Sequence, residues 1–142
     1  MANISLEIDD YFMHLEEKRL NSFQNWPYEA EHECTAAKLA AAGWYHIPTD
    51  QEPDAVRCFV CLKELDGWEP NDDPWMEHMK HSPQCPFLKL PKTTGEMTVE
   101  QLLNLEIKRW SLKTRKILDA RIEEYKIQAD AVRDAMKNLV DN

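Results

Sequence analysis

The sequence predicts an α+β chain: a small, loop-rich domain over residues 1–90, a linker over 91–97, and one long C-terminal α-helix over 98–142. Three observations carry that prediction. A cysteine pair two residues apart, Cys58-Phe-Val-Cys61, is followed by a histidine and a third cysteine. All 4 Cys, 8 Pro, 3 Gly and 5 His lie before residue 98. After it come mostly helix formers, with no Gly or Pro to interrupt them.

The elements follow in chain order. Thr35 reads as the N-cap of a helix over Ala36–Ala42 that Gly43 ends. Ala55–Val60 and Leu62–Leu65 read as short strands on either side of the cysteine pair. Asp73-Pro74 places a cap before a proline at the first helical position, opening a short helix that carries Glu77, His78 and His81. Ser82-Pro83 ends it and turns the chain towards Cys85. Thr98-Val-Glu-Gln101 suits a capping box at the start of the long helix. From Leu118 its apolar positions step through Ile122, Tyr125, Ala129, Val132, Met136 and Leu139, the four-three spacing of a coiled-coil seam. Leu103, Ile107 and Trp110 extend the seam upstream, joined through Thr114 by a stutter. A helix of about 42 residues reaches about 60 Å, too long for its stripe to be buried on a domain about 30 Å across. Partner helices are therefore expected. Val99, Leu102, Leu105 and Ile107 also fit a leucine-rich export signal, but the same residues serve equally as seam.

Charge narrows the function. The formal net charge is −9 and the pI about 5.0, which disfavours phosphate backbones and anionic membranes as main partners. The excess is local: residues 1–97 hold 8 basic and 18 acidic side chains (net −10), residues 98–142 hold 9 and 8 (net +1). No apolar run reaches 18 residues, and the acidic start lacks the basic region of a signal peptide, so a soluble intracellular protein is expected.

Cys58 and Cys61 can chelate one ion from a tight turn, with His78 and Cys85 closing a tetrahedron. A disulfide reading fails on compartment, and a redox C-x-x-C lacks its βαβ setting. One structural zinc with three thiolates and one imidazole fits best; spacing alone leaves His81, one turn from His78, as an alternative ligand. Cys34 reads as an idle thiol. Four filled positions leave none for a catalytic water, and three scattered glycines build no phosphate loop, so no catalysis is expected.

Several segments together resemble the baculoviral-inhibitor-repeat (BIR) domain of the inhibitor-of-apoptosis proteins: Arg19-Leu-Asn-Ser-Phe-Gln-Asn-Trp-Pro27, Leu39-Ala-Ala-Ala-Gly-Trp-Tyr-His46, Val56-Arg-Cys-Phe-Val-Cys61, Gly67-Trp68 and Asp73-Pro…His78…Cys85. One such domain followed directly by a long helix, together with Thr49–Asp54 and Leu62–Pro74, is similar to the single-BIR branch of that family. The resemblance implies a zinc-binding domain with a short three-stranded antiparallel sheet and surrounding helices, with His78 as fourth ligand and His81 released for another task. It also implies a subunit of the chromosomal passenger complex. There the long helix bundles with helices of borealin and inner centromere protein. The zinc domain reads a phosphorylated histone tail beginning Ala-Arg-Thr(phospho)-Lys and so brings Aurora B kinase to centromeres, and later to the spindle midzone. Such proteins are implied to occupy the nucleus and chromosome centromeres in mitosis and the cytoplasm otherwise, and to be able to form homodimers when free. They are also described as apoptosis inhibitors that bind caspases or Ala-starting antagonist peptides.

The residues suit a basic peptide N-terminus. Six acids fall between positions 64 and 77: Glu64, Asp66, Glu69, Asp72, Asp73 and Glu77. They would attract a free amino group followed by Arg and Lys. Leu65 and Trp68 would form an apolar slot for the first residue; Asp72 would take the amine, with Glu77 or Glu52 meeting the next basic side chains. The resemblance assigns phosphate to Lys63 and His81, and binding there should weaken as the imidazole loses its proton above about pH 7. Trp68 could equally be core, and Asp72 and Asp73 turn and cap residues. Three departures stand out. Thr35 is followed by Ala36 where the family branch has a Thr-Pro phosphorylation site. Thr93-Thr94-Gly95 stands where a large dimer-forming aromatic is usual, though Leu6, Tyr11, Val99 and Leu102 still offer an apolar patch for a homodimer. The helix is less basic than its counterparts, so no direct nucleic-acid role is expected.

Overall fold

The computed structural model describes residues 11–90 and 96–140. A 3-10 turn at Phe12–His14 leads into α1 (Glu16–Ser22). Thr35 accepts a hydrogen bond from the Lys38 amide at 3.2 Å and starts α2 (Ala36–Ala41). Gly43 follows at φ +92°, where a Cβ would also lie 2.9 Å from the Phe87 ring. Only glycine meets both conditions.

Three short strands then pair antiparallel in the order β1 (Trp44–His46), β2 (Val56–Cys58), β3 (Glu64–Leu65), the three-stranded sheet the family resemblance implied. The residue pattern alone did not single out β1. All three of its residues are buried, so no alternation marks it. The strand expected over 55–60 stops at Cys58 because Phe59–Leu62 turn back. The Leu62 amide donates to the Cys58 carbonyl at 3.1 Å, and Leu62 takes a left-handed φ of +63°.

Asp73 caps α3 (Pro74–His81), its Oδ1 accepting from the Trp75 and Met76 amides at 2.9 and 3.2 Å. After a second 3-10 turn at Pro86–Lys89 comes α4, Val99–Val140, a helix of 42 residues. Its capping box is present: the Gln101 amide donates to Thr98 Oγ1 at 3.2 Å, and the Thr98 amide to Gln101 Oε1 at 2.9 Å.

Trp44, Leu39, Val56 and Val60 are fully buried at the centre, with Phe59, Trp68 and Phe87 around them. Arg19 is buried among them. Its guanidinium donates to the Ala40 and Met13 carbonyls at 2.8 Å each and lies 4.4 Å from the Phe59 ring centroid. Burial lowers its pKa to about 10, so it stays charged at neutral pH. Leu105 of α4 joins this core. Leu105, Arg109 and Lys113, spaced four apart, are the buried residues of α4, and beyond Lys113 no described residue is buried. The first turns of the helix therefore do fold back on the domain, which the length argument did not foresee. Among the described residues, no helix is long and apolar enough to cross a membrane.

Candidate metal centre, acidic cleft and helix seam

Cys58, Cys61, His78 and Cys85 bring their ligand atoms within 4.8 Å of one another. The sheet end supplies Cys58, the reversing turn Cys61, the inner face of α3 His78, and the turn after α3 Cys85. Tetrahedral bonds of about 2.3 Å to sulfur and 2.0–2.1 Å to nitrogen would set sulfurs about 3.8 Å apart and a sulfur and nitrogen about 3.6 Å apart. Cys58 and Cys85 sulfurs are 3.9 Å apart, and Cys61 Sγ is 3.6 Å from His78 Nε2. A disulfide would need about 2.05 Å. The donor set therefore fits one four-coordinate ion.

Spacing left His78 and His81 as rivals, and tertiary structure separates them. His78 is fully buried, and its Nδ1 bonds the Ala42 carbonyl at 2.8 Å, which turns Nε2 towards the sulfurs. His81 points away, 3.2 Å from Glu77. Electrostatics also call for a cation. Burial first, then the neighbouring thiols, pushes Cys58 well above its ordinary value, while hydrogen bonds from Cys58 and Cys85 pull Cys61 down. Three thiolates this close cannot all ionise without a dication between them. Cys34 lies apart; burial first, then Asp72 and Asp54, pushes it up to about 12, leaving it an inert thiol.

A cleft of about 490 Å³ lies beside β3 and α3, lined by Glu52, Ala55, Glu64, Leu65, Asp66, Gly67, Trp68, Asp72, Glu77 and His81. It brings together seven of the eight residues expected to bind peptide. The eighth, Lys63, is exposed and does not line it; Glu64 stands at that rim instead. Glu64 is held by Arg57 at 2.7 and 2.9 Å, and Lys116 of α4 reaches within 4.0 Å of it. Asp72 accepts the Glu69 amide at 2.8 Å, so one of its oxygens does serve the turn.

Trp68 is both core and cleft: 6% exposed, edge-on to Trp44 at 6.0 Å, yet lining the opening. Its indole Nε1 is buried with no acceptor among the described residues, a cost that a ligand or water would remove. Two residues that sequence reasoning missed position it. The Trp68 amide donates to Asp54 Oδ2 at 2.8 Å, and the Tyr28 hydroxyl donates to the Trp68 carbonyl at 2.8 Å. Tyr28 lies forty residues upstream, and no local pattern pointed to it.

Along α4, Leu118, Ile122, Tyr125, Val132, Met136 and Leu139 are all at least 50% exposed. Upstream, Leu103 and Ile107 are exposed too, but Leu102 and Trp110 are half-buried. Trp110 lies 5.9 Å from the Tyr11 ring, and Val99 and Tyr11 are exposed at the junction. Leu6, also expected there, lies outside the described residues, as do Thr93-Thr94-Gly95.

A family model described as the BIR inhibitor-of-apoptosis domain matches residues 19–89. The chain is 41% identical over 131 residues to Baculoviral IAP repeat-containing protein 5.2 of Xenopus tropicalis, covering 92% of this chain and 84% of that protein. To Baculoviral IAP repeat-containing protein 5 it is 42% identical in Cavia porcellus (89% of each chain) and 40% in Mus musculus (89% of this chain, 91% of that one), both over 127 residues.

Proposed function

The chain belongs to the BIR family of inhibitor-of-apoptosis proteins, in its survivin-type form of one BIR domain and a long helix, and on that premise we propose that it is a non-enzymatic adaptor of the chromosomal passenger complex. Its metal is one structural zinc held by Cys58, Cys61, His78 and Cys85, a donor set that leaves no open position for catalysis. Its cleft receives the free N-terminus of a histone tail beginning Ala-Arg-Thr-Lys with the threonine phosphorylated. Its exposed seam bundles with helices of borealin and inner centromere protein, carrying Aurora B kinase to centromeres and then to the midzone. Outside mitosis it resides in the cytoplasm, as a homodimer when free of partners.

The observation that carries this reading is the content of the cleft. Five carboxylates, Glu52, Glu64, Asp66, Asp72 and Glu77, surround apolar Ala55, Leu65 and Trp68 with a single imidazole. A peptide α-amino group is charged at neutral pH, and a small first side chain with basic residues after it matches that mixture. Phosphate needs a cation in an otherwise repelling site. His81 is at hand inside the cleft, with exposed Lys63, next to the lining residue Glu64 in sequence, as a second.

An inhibitor that captures Ala-starting antagonist peptides, or caspases, would use the same acidity. The exposed seam of α4 favours the adaptor, since peptide capture makes no use of it. Titrating the full chain with unmodified, phosphothreonine and antagonist-type Ala-starting peptides separates the two. The adaptor reading expects phosphate to tighten binding about tenfold or more, the effect of one charge-assisted bond of roughly 1.5–3 kcal/mol. Preference for the antagonist peptide with no gain from phosphate would overturn it.

A further inference from the structure

The long helix reaches the cysteine turn of the metal centre at the Phe59–Val60 peptide unit. Arg109 of α4 is 3% exposed, and its Nε donates to the Phe59 carbonyl at 3.0 Å, inside the Cys58–Cys61 turn. Its Nη1 donates to the Tyr11 carbonyl at 3.2 Å and lies 3.2 Å from Glu106. Docking a helix on apolar contacts alone would not require a buried guanidinium, whose desolvation is costly unless its donors are used.

The peptide bond is planar, so the Phe59 carbonyl and the Val60 amide turn as one body. That Val60 amide donates to Cys58 Sγ at 3.4 Å. Holding the oxygen end of the unit therefore aims its N–H end at the sulfur. A buried cation on the carbonyl also polarises the amide and strengthens the bond it gives. From the other side, the Phe59 amide is tied to the Gly43 carbonyl at 3.1 Å.

We propose that Arg109 is a positioning residue of the metal centre, acting through the Phe59–Val60 peptide unit on the Cys58 thiolate, so that metal retention depends on the docking of α4. The proposal rests on the four-ligand site and not on the histone reading. Partners of those ligands typically change metal affinity 10–100-fold. Docking and metal binding are linked reciprocally, so loosening either loosens the other.

The test uses the full chain with zinc and with cobalt as a spectroscopic substitute. R109M keeps length but removes every donor; R109K keeps the charge and one donor; L105A weakens the same docked face at the buried Leu105 without removing the bond to Phe59. In competition against a chromophoric chelator, R109M should lose about tenfold in zinc affinity and shift the sulfur-to-cobalt charge-transfer band. R109K should fall between R109M and the unaltered chain. L105A should leave the band in place with a smaller loss of affinity. Wild-type affinity and spectrum in R109M would overturn the proposal, as would L105A matching R109M in both readouts. Should R109M fail to fold, R109K compared with L105A decides by the same two measurements. If the unaltered chain takes up neither ion, the metal site itself is refuted and the proposal falls with it.

Discussion

Removing the metal is expected to unfold the BIR domain rather than leave an empty site. Structural zinc contributes an apparent ~10–16 kcal/mol in small metal-dependent domains, while a whole domain is stable by only ~5–15 kcal/mol. Strands of three, three and two residues cannot make up such a loss, and the four ligands join the sheet, the turn and α3 at one point. Proton release measures the same thing independently. In a preformed metal-free site Cys58 is pushed well up by burial. Cys85 ends near 12, its hydrogen bond with Cys58 lowering it less than its contact with Cys61 and its burial raise it. Cys61 is pulled down, so a preformed site would release fewer protons on binding zinc than three ordinary thiols do. An unfolded chain carries three ordinary ligand thiols near 8.5 and would release about three. Acidification returns those protons, so zinc affinity must fall as the pH falls. Calorimetric zinc titrations in buffers of different protonation enthalpy, with near-ultraviolet circular dichroism alongside, should give about three protons and a tertiary signal that appears with one equivalent of zinc. Cys61→Ser and Cys85→Ser should resemble the chelated protein. Clearly fewer than three protons released, with an unchanged near-ultraviolet spectrum after chelation, would refute the coupling.

Asp73→Ala removes the acceptor for two amides of α3 and should cost ~1 kcal/mol, lowering the melting temperature of the zinc-loaded protein by roughly 4–8 °C. An unchanged melt would mean the cap contributes nothing. Leu118→Glu with Met136→Glu alters two side chains that are 55% and 61% exposed, so the chain's own stability should move by less than ~0.5 kcal/mol each. Size-exclusion chromatography with light scattering should show loss of assembly with borealin and inner centromere protein helices, with peptide binding intact; a destabilised chain would mean the seam packs internally. His81→Ala should lower the phosphate-dependent gain in peptide affinity at constant pH, because His81 is the cation-forming side chain that lines the cleft. An undiminished phosphate gain in that variant would remove His81 from the role.

Short-range chemistry was the legible part. Thr35, Asp73 and Thr98 each cap the helix start expected of them, because a cap is a bond between residues two or three apart. The cysteine turn was visible for the same reason. Spacing left the fourth ligand open, and the family resemblance chose His78; His78 and His81 differ by one helical turn, and in the fold the Ala42 carbonyl, from a distant segment, orients His78 for the role. Within the cleft, local charge density brought out the acids, while Asp54 and Tyr28, which hold Trp68 in place, act from 14 and 40 residues away. Lys63 lies next to the lining residues in sequence but outside the lining in space.

The long helix divides the same way. Periodicity alone determines that residues after 98 are helical and that Leu118 to Leu139 form one apolar stripe, because both follow from a repeat of about 3.5 residues. Which face of the upstream turns meets the domain is a different question. Leu103 and Ile107 continue the stripe yet stay exposed, while Arg109 and Lys113, cations that hydropathy assigns to solvent, are buried. Hydropathy ranks side chains by their transfer from water and takes no account of the partners a fold can bring to them. The Phe59 and Tyr11 carbonyls that receive Arg109 lie 50 and 98 residues away, and only the folded chain places them under it.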